Sequence, residues 1–210
     1  LVRYNTNGLL VDDEIIELWK KFKKVKVGFS IDAVGDRNWY IRYPSDWDTI
    51  ERNLHRLDNT PDNIHVSIAT AIQVLNIKHL ADFARWKITQ NYKKINLGLV
   101  PGGVQMGGGI FNMHLLYIPT FLSCRVLPEA DKAEVRKKYE EFYPWWEENW
   151  ELGVPSWHKG KITKEDFMQA EYGIKRLNGI LNFMESEDWS QRLPEMKEFL
   201  SRCDTQRGIT

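Results

Sequence analysis

The feature that most constrains this chain is an alternation of short β-type apolar runs with segments of helical periodicity, sustained through its first half. Leu1–Asn5 reads as a strand ending in Thr6-Asn7-Gly8, a turn signal. Asp12-Asp13-Glu14 then opens an amphipathic helix with Ile15, Leu18/Trp19 and Phe22 on its apolar face and Lys20, Lys21, Lys23 and Lys24 at its far end. Each terminus carries the charge its dipole favours. Lys26–Asp32 reads as the second strand. Ser45, with Asp48 three residues later, starts the next helix as a capping-box variant just after Pro44. Ile50, Leu54 and Leu57 share one face of that helix. Ile64–Thr70 is the third strand, with an extension toward Leu75 left open, and Leu80, Phe83, Ala84 and Ile88 mark the third helix. The fourth strand is either Ile95–Val100 or Asn112–Ile118, between which periodicity does not choose.

Strands and helices alternating at this spacing form parallel βαβ units with right-handed crossovers. The fold class expected is therefore α/β, a partial parallel (β/α) barrel of the TIM-like type over residues 1–128. After Pro128 the texture becomes helical, with Lys132–Phe142, then the tryptophan-dense Pro144–Trp150, then Lys164–Glu185 and Pro194–Cys203. Residues 129–210 read as a helical region packed against the barrel. Period-2 alternation assigns Val27, Phe29 and Ile31 to one face of the second strand and Gly28, Ser30 and Asp32 to the other. In a barrel the first set packs under helices and the second faces the lumen, where small and polar residues at strand C-termini are placed for ligands.

Composition excludes some classes. Lys+Arg and Asp+Glu each total 29 and no dense basic run occurs, so the chain does not read as a nucleic-acid binder. No apolar stretch approaches the ~18 residues of a membrane span. Two cysteines, Cys124 and Cys203, suit a reducing, cytoplasmic setting and rule out a disulfide scaffold. Leu1-Val2-Arg3-Tyr4 begins in mid-strand and Thr205–Thr210 closes without a helix ending, so both ends read as cut from a longer protein.

Several of these segments together resemble radical S-adenosylmethionine (radical SAM) enzymes of the group with a twitch or SPASM-type accessory domain. Thr6-Asn7-Gly8 is similar to the TNG that ends the third barrel strand there, and Ser30-Ile31-Asp32-Ala33 to the S-[IL]-D-[AG] that ends the fourth. Tyr40-Ile41-Arg42 resembles the group's downstream Arg, and the helix with Trp47, Ile50 and Asn53 follows as it does there. Ser67–Asn76 is similar to strand five, and Pro119–Ser123, Val126-Leu127-Pro128, Lys132, Asp188-Trp189-Ser190, Asp204 and Arg207-Gly208 fit later positions. The resemblance implies that Ser30 and Asp32 lie near the SAM ribose and Arg42 near its carboxylate. It places Thr6 and Asn7 on the same rim and Asn76 at the end of strand five. It also implies, for an intact enzyme, a [4Fe–4S] cluster, reductive cleavage of SAM and a 5′-deoxyadenosyl radical acting on a peptide or small molecule. This chain departs from the group in having no C-x3-C-x2-C loop and no Gly-Gly-Glu segment, which belong to two βα units before Leu1 in that family. Neither cluster nor SAM is expected to be retained by the chain alone, and no residue is assigned as a metal ligand. An open barrel lacking those units exposes the Leu1–Asn5 edge, which is expected either to form an oligomer or to be covered by another chain or segment.

Other features read as structural. The glycine-rich run 102–109 lacks the G-x4-G-K-[ST] of a phosphate loop and reads as a flexible connection or access lid. The histidines His55, His65, His79, His114 and His158 show no metal-ligand spacing, with His114 placed on the candidate last strand. Trp145, Trp146 and Trp150 read as packing of the helical region. The alternatives to a radical SAM enzyme are a non-catalytic barrel remnant that binds a partner or ligand, and an unrelated (β/α)8 enzyme using Ser30, Asp32 and Arg42 on a phosphate or sugar.

Overall fold

The computed structural model describes residues 1–93, 95, 112–154, 160–161, 163–169 and 174–209. The glycine-rich run, His158 and all but the first residue of the alternative strand Ile95–Val100 lie outside them.

Strands β1 (Val2–Thr6), β2 (Val25–Ser30), β3 (Ile64–Ile72) and β4 (Asn112–Leu115) form one parallel sheet in the order β1-β2-β3-β4. The helices α1 (Asp13–Lys20), α2 (Asp36–Ile41), α3 (Trp47–Asp58) and α4 (Leu80–Thr89) lie in the connections. Sequential order with right-handed crossovers carries every connecting helix to the same side, because only a reversal of strand order sends helices to the opposite face. Burial follows that rule. Val25, Val27, Phe29, Ile31, Ile64, Val66 and Ile68 are all within 1% of complete burial and share a core with Trp19, Ile50, Leu54, Leu57, Leu80 and Phe83. The alternate residues Lys26, Gly28, Ser30, His65, Ser67 and Ala69 are only half-buried. Phe29 and Ile31 thus pack under helices, as the alternation required. β1 pairs only with β2 and β4 only with β3, so the sheet is an open, singly wound arc and closure into a barrel is not seen among the described residues.

The last strand is the Asn112 alternative, shorter than the expected run to Ile118, and β3 extends two residues past Thr70. Two expectations need correction. Ser45 does not cap a helix; Asp46 is the N-cap of α3 and accepts a hydrogen bond from the Thr49 hydroxyl, while Ser45 is buried and its Oγ accepts from Asn38. The helix expected at Lys132–Phe142 is a longer α5 (Glu129–Glu148) that runs through Pro144 and absorbs most of the tryptophan-dense stretch. Its buried stripe of Lys132, Val135, Tyr139, Phe142 and Trp146 recurs every three or four residues and overrides the helix-breaking tendency of one proline. Helices α6 (Lys164–Gln169), α7 (Ile174–Glu185) and α8 (Leu193–Arg207) complete the helical region. Trp145 and Trp146 pack on Phe142 at 5.7 and 5.6 Å, consistent with a packing role. No helix among the described residues is long and apolar enough to cross a membrane.

Candidate functional site

The candidate site is the C-terminal end of the parallel strands, where connecting loops meet and strand directions aim polar residues outward. At the end of β1 the turn is held by its own side chains. Thr6 Oγ1 accepts from Gly8 N at 3.1 Å, and Asn7 Oδ1 accepts from Leu9 N at 3.2 Å. Gly8 has φ +84°, and a Cβ there would lie 2.5 Å from the buried Phe29 ring, so only glycine serves both backbone and packing. Gly8 O accepts from Asn53 Nδ2 at 2.8 Å, which ties the turn to α3. Thr6 and Asn7 thus belong to a turn that faces solvent and is separate from the network around Asp32.

At the end of β2, Asp32 is 3% exposed and engaged on both carboxylate oxygens. Oδ1 accepts from Ala71 N at 2.7 Å and from Arg42 Nη2 at 3.0 Å, and Arg42 Nε lies 2.9 Å from Oδ2. The carboxylate takes over the ladder bond to β3 at the point where β2 leaves the sheet. Burial pushes its pKa up, and the Arg42 guanidinium opposes that push. Arg42 sits at the C-cap of α2, the helix that sequence periodicity missed because it has only six residues. Asn38 of α2 completes the arrangement. Its Oδ1 accepts from Asp32 N at 3.0 Å and Ala33 N at 3.4 Å, and its Nδ2 donates to Ser45 Oγ at 3.2 Å. Asn76, 1% exposed, closes the lattice from the turn that follows β3. Oδ1 accepts from Gln73 N at 2.9 Å, and Nδ2 donates to Asp32 O at 3.1 Å and Ala71 O at 2.8 Å.

The structure therefore brings Asp32, Arg42 and Asn76 together, and binds them to one another. Their polar atoms fix the relative positions of β2, β3 and α2 instead of projecting into open space. Ser30, two residues earlier on the face opposite the helices, differs. It is half-buried, and its hydroxyl makes no hydrogen bond to another described residue. Its register neighbours on that face are Ala69 and, one pair down, Gly28 beside Asn5 and Ser67. Sequence reasoning missed Asn38 and assigned no role to Asn53; a polar residue whose partners are backbone groups up to 45 positions away leaves no local pattern.

The lattice is braced from outside. Arg207 of α8 donates to Tyr40 O at 2.8 Å and lies over the rings of Tyr43 and Tyr40 at 4.9 and 5.6 Å. Burial, then the hydrogen bond to Asp204, raises the Tyr40 pKa. A groove of about 730 Å³ runs beside α2, lined by Asp36, Arg37, Trp39, Tyr40, Ile41 and Leu75.

Neither thiol suits an iron–sulfur site. Cys124 is fully buried and burial pushes its pKa up to about 12, which keeps it protonated, while cluster ligation requires thiolate. Cys203 stands apart on α8. Among the described residues no group of three His, Cys, Asp or Glu side chains could hold a metal ion. Comparison with protein families, characterised proteins and solved structures finds no match for this chain.

Proposed function

We propose that this chain forms one wall of a radical SAM-type barrel, supplying shape and SAM contacts while the cluster is held by residues other than its own. The observation that supports this reading most is the winding of the sheet. Four parallel strands in sequence order, with a helix-covered core on one side, leave a half-buried second face that carries Gly28, Ser30, Ser67 and Ala69 and that closure of a barrel would turn into its lumen. On that face the Ser30 hydroxyl is available to a ribose or similar polar group. Thr6 and Asn7 retain donor capacity at the neighbouring rim, because each uses one oxygen in its turn. Asp32, Arg42 and Asn76 act as the frame that holds Ser30 and the strand ends in place. SAM would be the ligand of this face, and a peptide or small molecule in the cytoplasm would be the substrate of the intact enzyme. The cluster does not fit the cysteines of this chain, and no step is assigned through it.

One observation favours the alternative, a non-catalytic arc that binds a ligand or partner: the residues of the resemblance with the strongest chemistry, Asp32 and Asn76, are wholly engaged with the fold. Anaerobic reconstitution with iron and sulfide, followed by SAM calorimetry, separates the readings. The proposal expects no stoichiometric cluster and SAM binding about a thousandfold weaker than micromolar, the loss of several kcal/mol that goes with losing iron chelation. A stoichiometric cluster or micromolar SAM binding would overturn the division of labour. No SAM binding at millimolar concentration would favour the alternative.

A further inference from the structure

Between α2 and α4, in the helix layer and with no lining from the Ser30 face, lies a cavity of about 220 Å³. Its apolar wall comes from Ala33 and Val34, which follow Asp32 in the chain, and from Phe83 and Trp86 of α4. The Trp86 indole is held in place by its own neighbours. Its Nε1 donates to Glu51 Oε1 at 3.3 Å, and its ring meets Trp47 edge-on at 5.1 Å and stacks on Phe83 at 5.8 Å. A fixed aromatic wall beside open volume is a binding surface already in its final shape.

The polar lining is Arg37, His79 and Asp82. Arg37 of α2 makes no ion pair or hydrogen bond with another described residue, and it also borders the groove beside α2. Asp82 Oδ2 lies 3.5 Å from His79 Nδ1, and the Asp82 side chain is 68% exposed, so water screens its charge. His79 Nε2 makes no hydrogen bond to another described residue. The charges facing His79 are Arg37 from α2, Asp82 from α4 and Lys138 from α5, whose amine also meets Glu134 and donates to Lys78 O. The Lys78 amine itself is taken by Asp131 and Glu134. Burial, then the charges of Arg37 and Lys138, holds the His79 imidazole below its ordinary pKa, against the pull of Asp82.

We infer that this cavity binds a small aromatic anion, one ring carrying a carboxylate or phosphate, with the ring against Trp86 and the anionic group on Arg37. Size sets the limit of one ring. An apolar cavity of about 150 Å³ holds benzene, so about 220 Å³ admits a ring with one anionic substituent and excludes a nucleotide. Charge selects the anion, because the guanidinium fork of Arg37 is unused and matches carboxylate or phosphate oxygens. An anion there also offsets the positive charge that depresses the His79 pKa, so binding should take up protons and tighten as pH falls through the imidazole range. The site is separate from the Ser30 face and does not depend on that face binding SAM.

Titration calorimetry of the full chain with benzoate and phenyl phosphate tests the inference. Both should bind with a Kd of about 1 mM or tighter, and inorganic phosphate and benzyl alcohol about tenfold more weakly, since each lacks one half of the recognition. Arg37→Gln, at an exposed position with no described partner to lose, should weaken benzoate about tenfold and leave the circular dichroism unchanged. The Trp86 indole N–H resonance should shift on binding. Benzoate stays charged from about pH 6 to 8; it should bind several-fold tighter at the lower pH in the wild type, and with no pH dependence in His79→Gln. Absence of benzoate and phenyl phosphate binding at about 10 mM would overturn the site. So would inorganic phosphate binding as tightly as phenyl phosphate, an Arg37→Gln variant that binds like the wild type, or a wild-type affinity indifferent to pH.

Discussion

The end of β2 and the middle of the same sheet are built from similar residue types and behave in opposite ways. Asp32, Arg42, Asn38 and Asn76 form a closed polar lattice in which side chains serve backbone groups of Asp32, Ala33, Ala71 and Gln73. Two residues back, Ser30 and Ser67 present hydroxyls that make no hydrogen bond to another described residue, beside Gly28 and Ala69. A buried polar group with its partners in place fixes geometry; one with an unused donor on an accessible face can recognise something else. A Ser-x-Asp pair on one strand can thus divide into a contact and a brace.

The largest test of this contrast is Asp32→Ala. It leaves the Arg42 guanidinium and the Ala71 N–H without their acceptor, and we expect a loss of about 3 kcal/mol in urea unfolding. Ser30→Ala should change stability by less than about 0.5 kcal/mol, as a surface substitution does. Equal losses in the two variants would erase the distinction. Gly8→Ala puts a side chain at φ +84° and against Phe29, so it should cost about 2 kcal/mol, read by the same unfolding curves. A neutral Gly8→Ala would mean that the turn carrying Thr6 and Asn7 is looser than its packing shows.

Lys87 supplies a control from the helix layer. It is 1% exposed, and burial lowers its pKa from 10.5 to about 7. Between about pH 7 and 10 the unfolded chain holds a proton that the native amine has released, so stability should rise with pH by at most about 1.4 kcal/mol per unit. Below pH 7 both states are protonated and this contribution is flat. Lys87→Met should remove the slope in thermal melts taken across that range. The smallest effect concerns Cys124. With its thiol held near 12, it should resist iodoacetamide at pH 8 in the folded chain, and mass mapping should find Cys203 modified first.

The parallel sheet was legible because Val27, Phe29 and Ile31 alternate with Gly28, Ser30 and Asp32, a pattern that needs no long-range information. The three helices α1, α3 and α4 followed from apolar spacing in the same way. What escaped was set by distance or by size. Helix α2 is too short to show a period, and the Asn38 and Asn53 bonds join segments that only the fold brings together. α5 crosses Pro144 because its buried stripe from Lys132 to Trp146 outweighs one missing N–H. Lys132 itself is charged yet 5% exposed, and its amine donates to Glu187 O at 3.4 Å, a partner 55 positions away that no local pattern marks. Asp32, Arg42 and Asn76 lie together at the strand ends, but whether each has atoms left for a ligand is a property of their partners.

The central claim is that ligand contact belongs to the Ser30 face and bracing to the Asp32 lattice. Amide chemical-shift mapping of the ¹⁵N-labelled chain with millimolar SAM tests it most directly. The account predicts shifts centred on Gly28, Ser30, Ser67 and Ala69, lost in Ser30→Trp, while the Asn38 and Asn76 side-chain amides stay in place. Shifts centred on Asp32, Asn38 and Asn76 with the Ser30 face silent would contradict it.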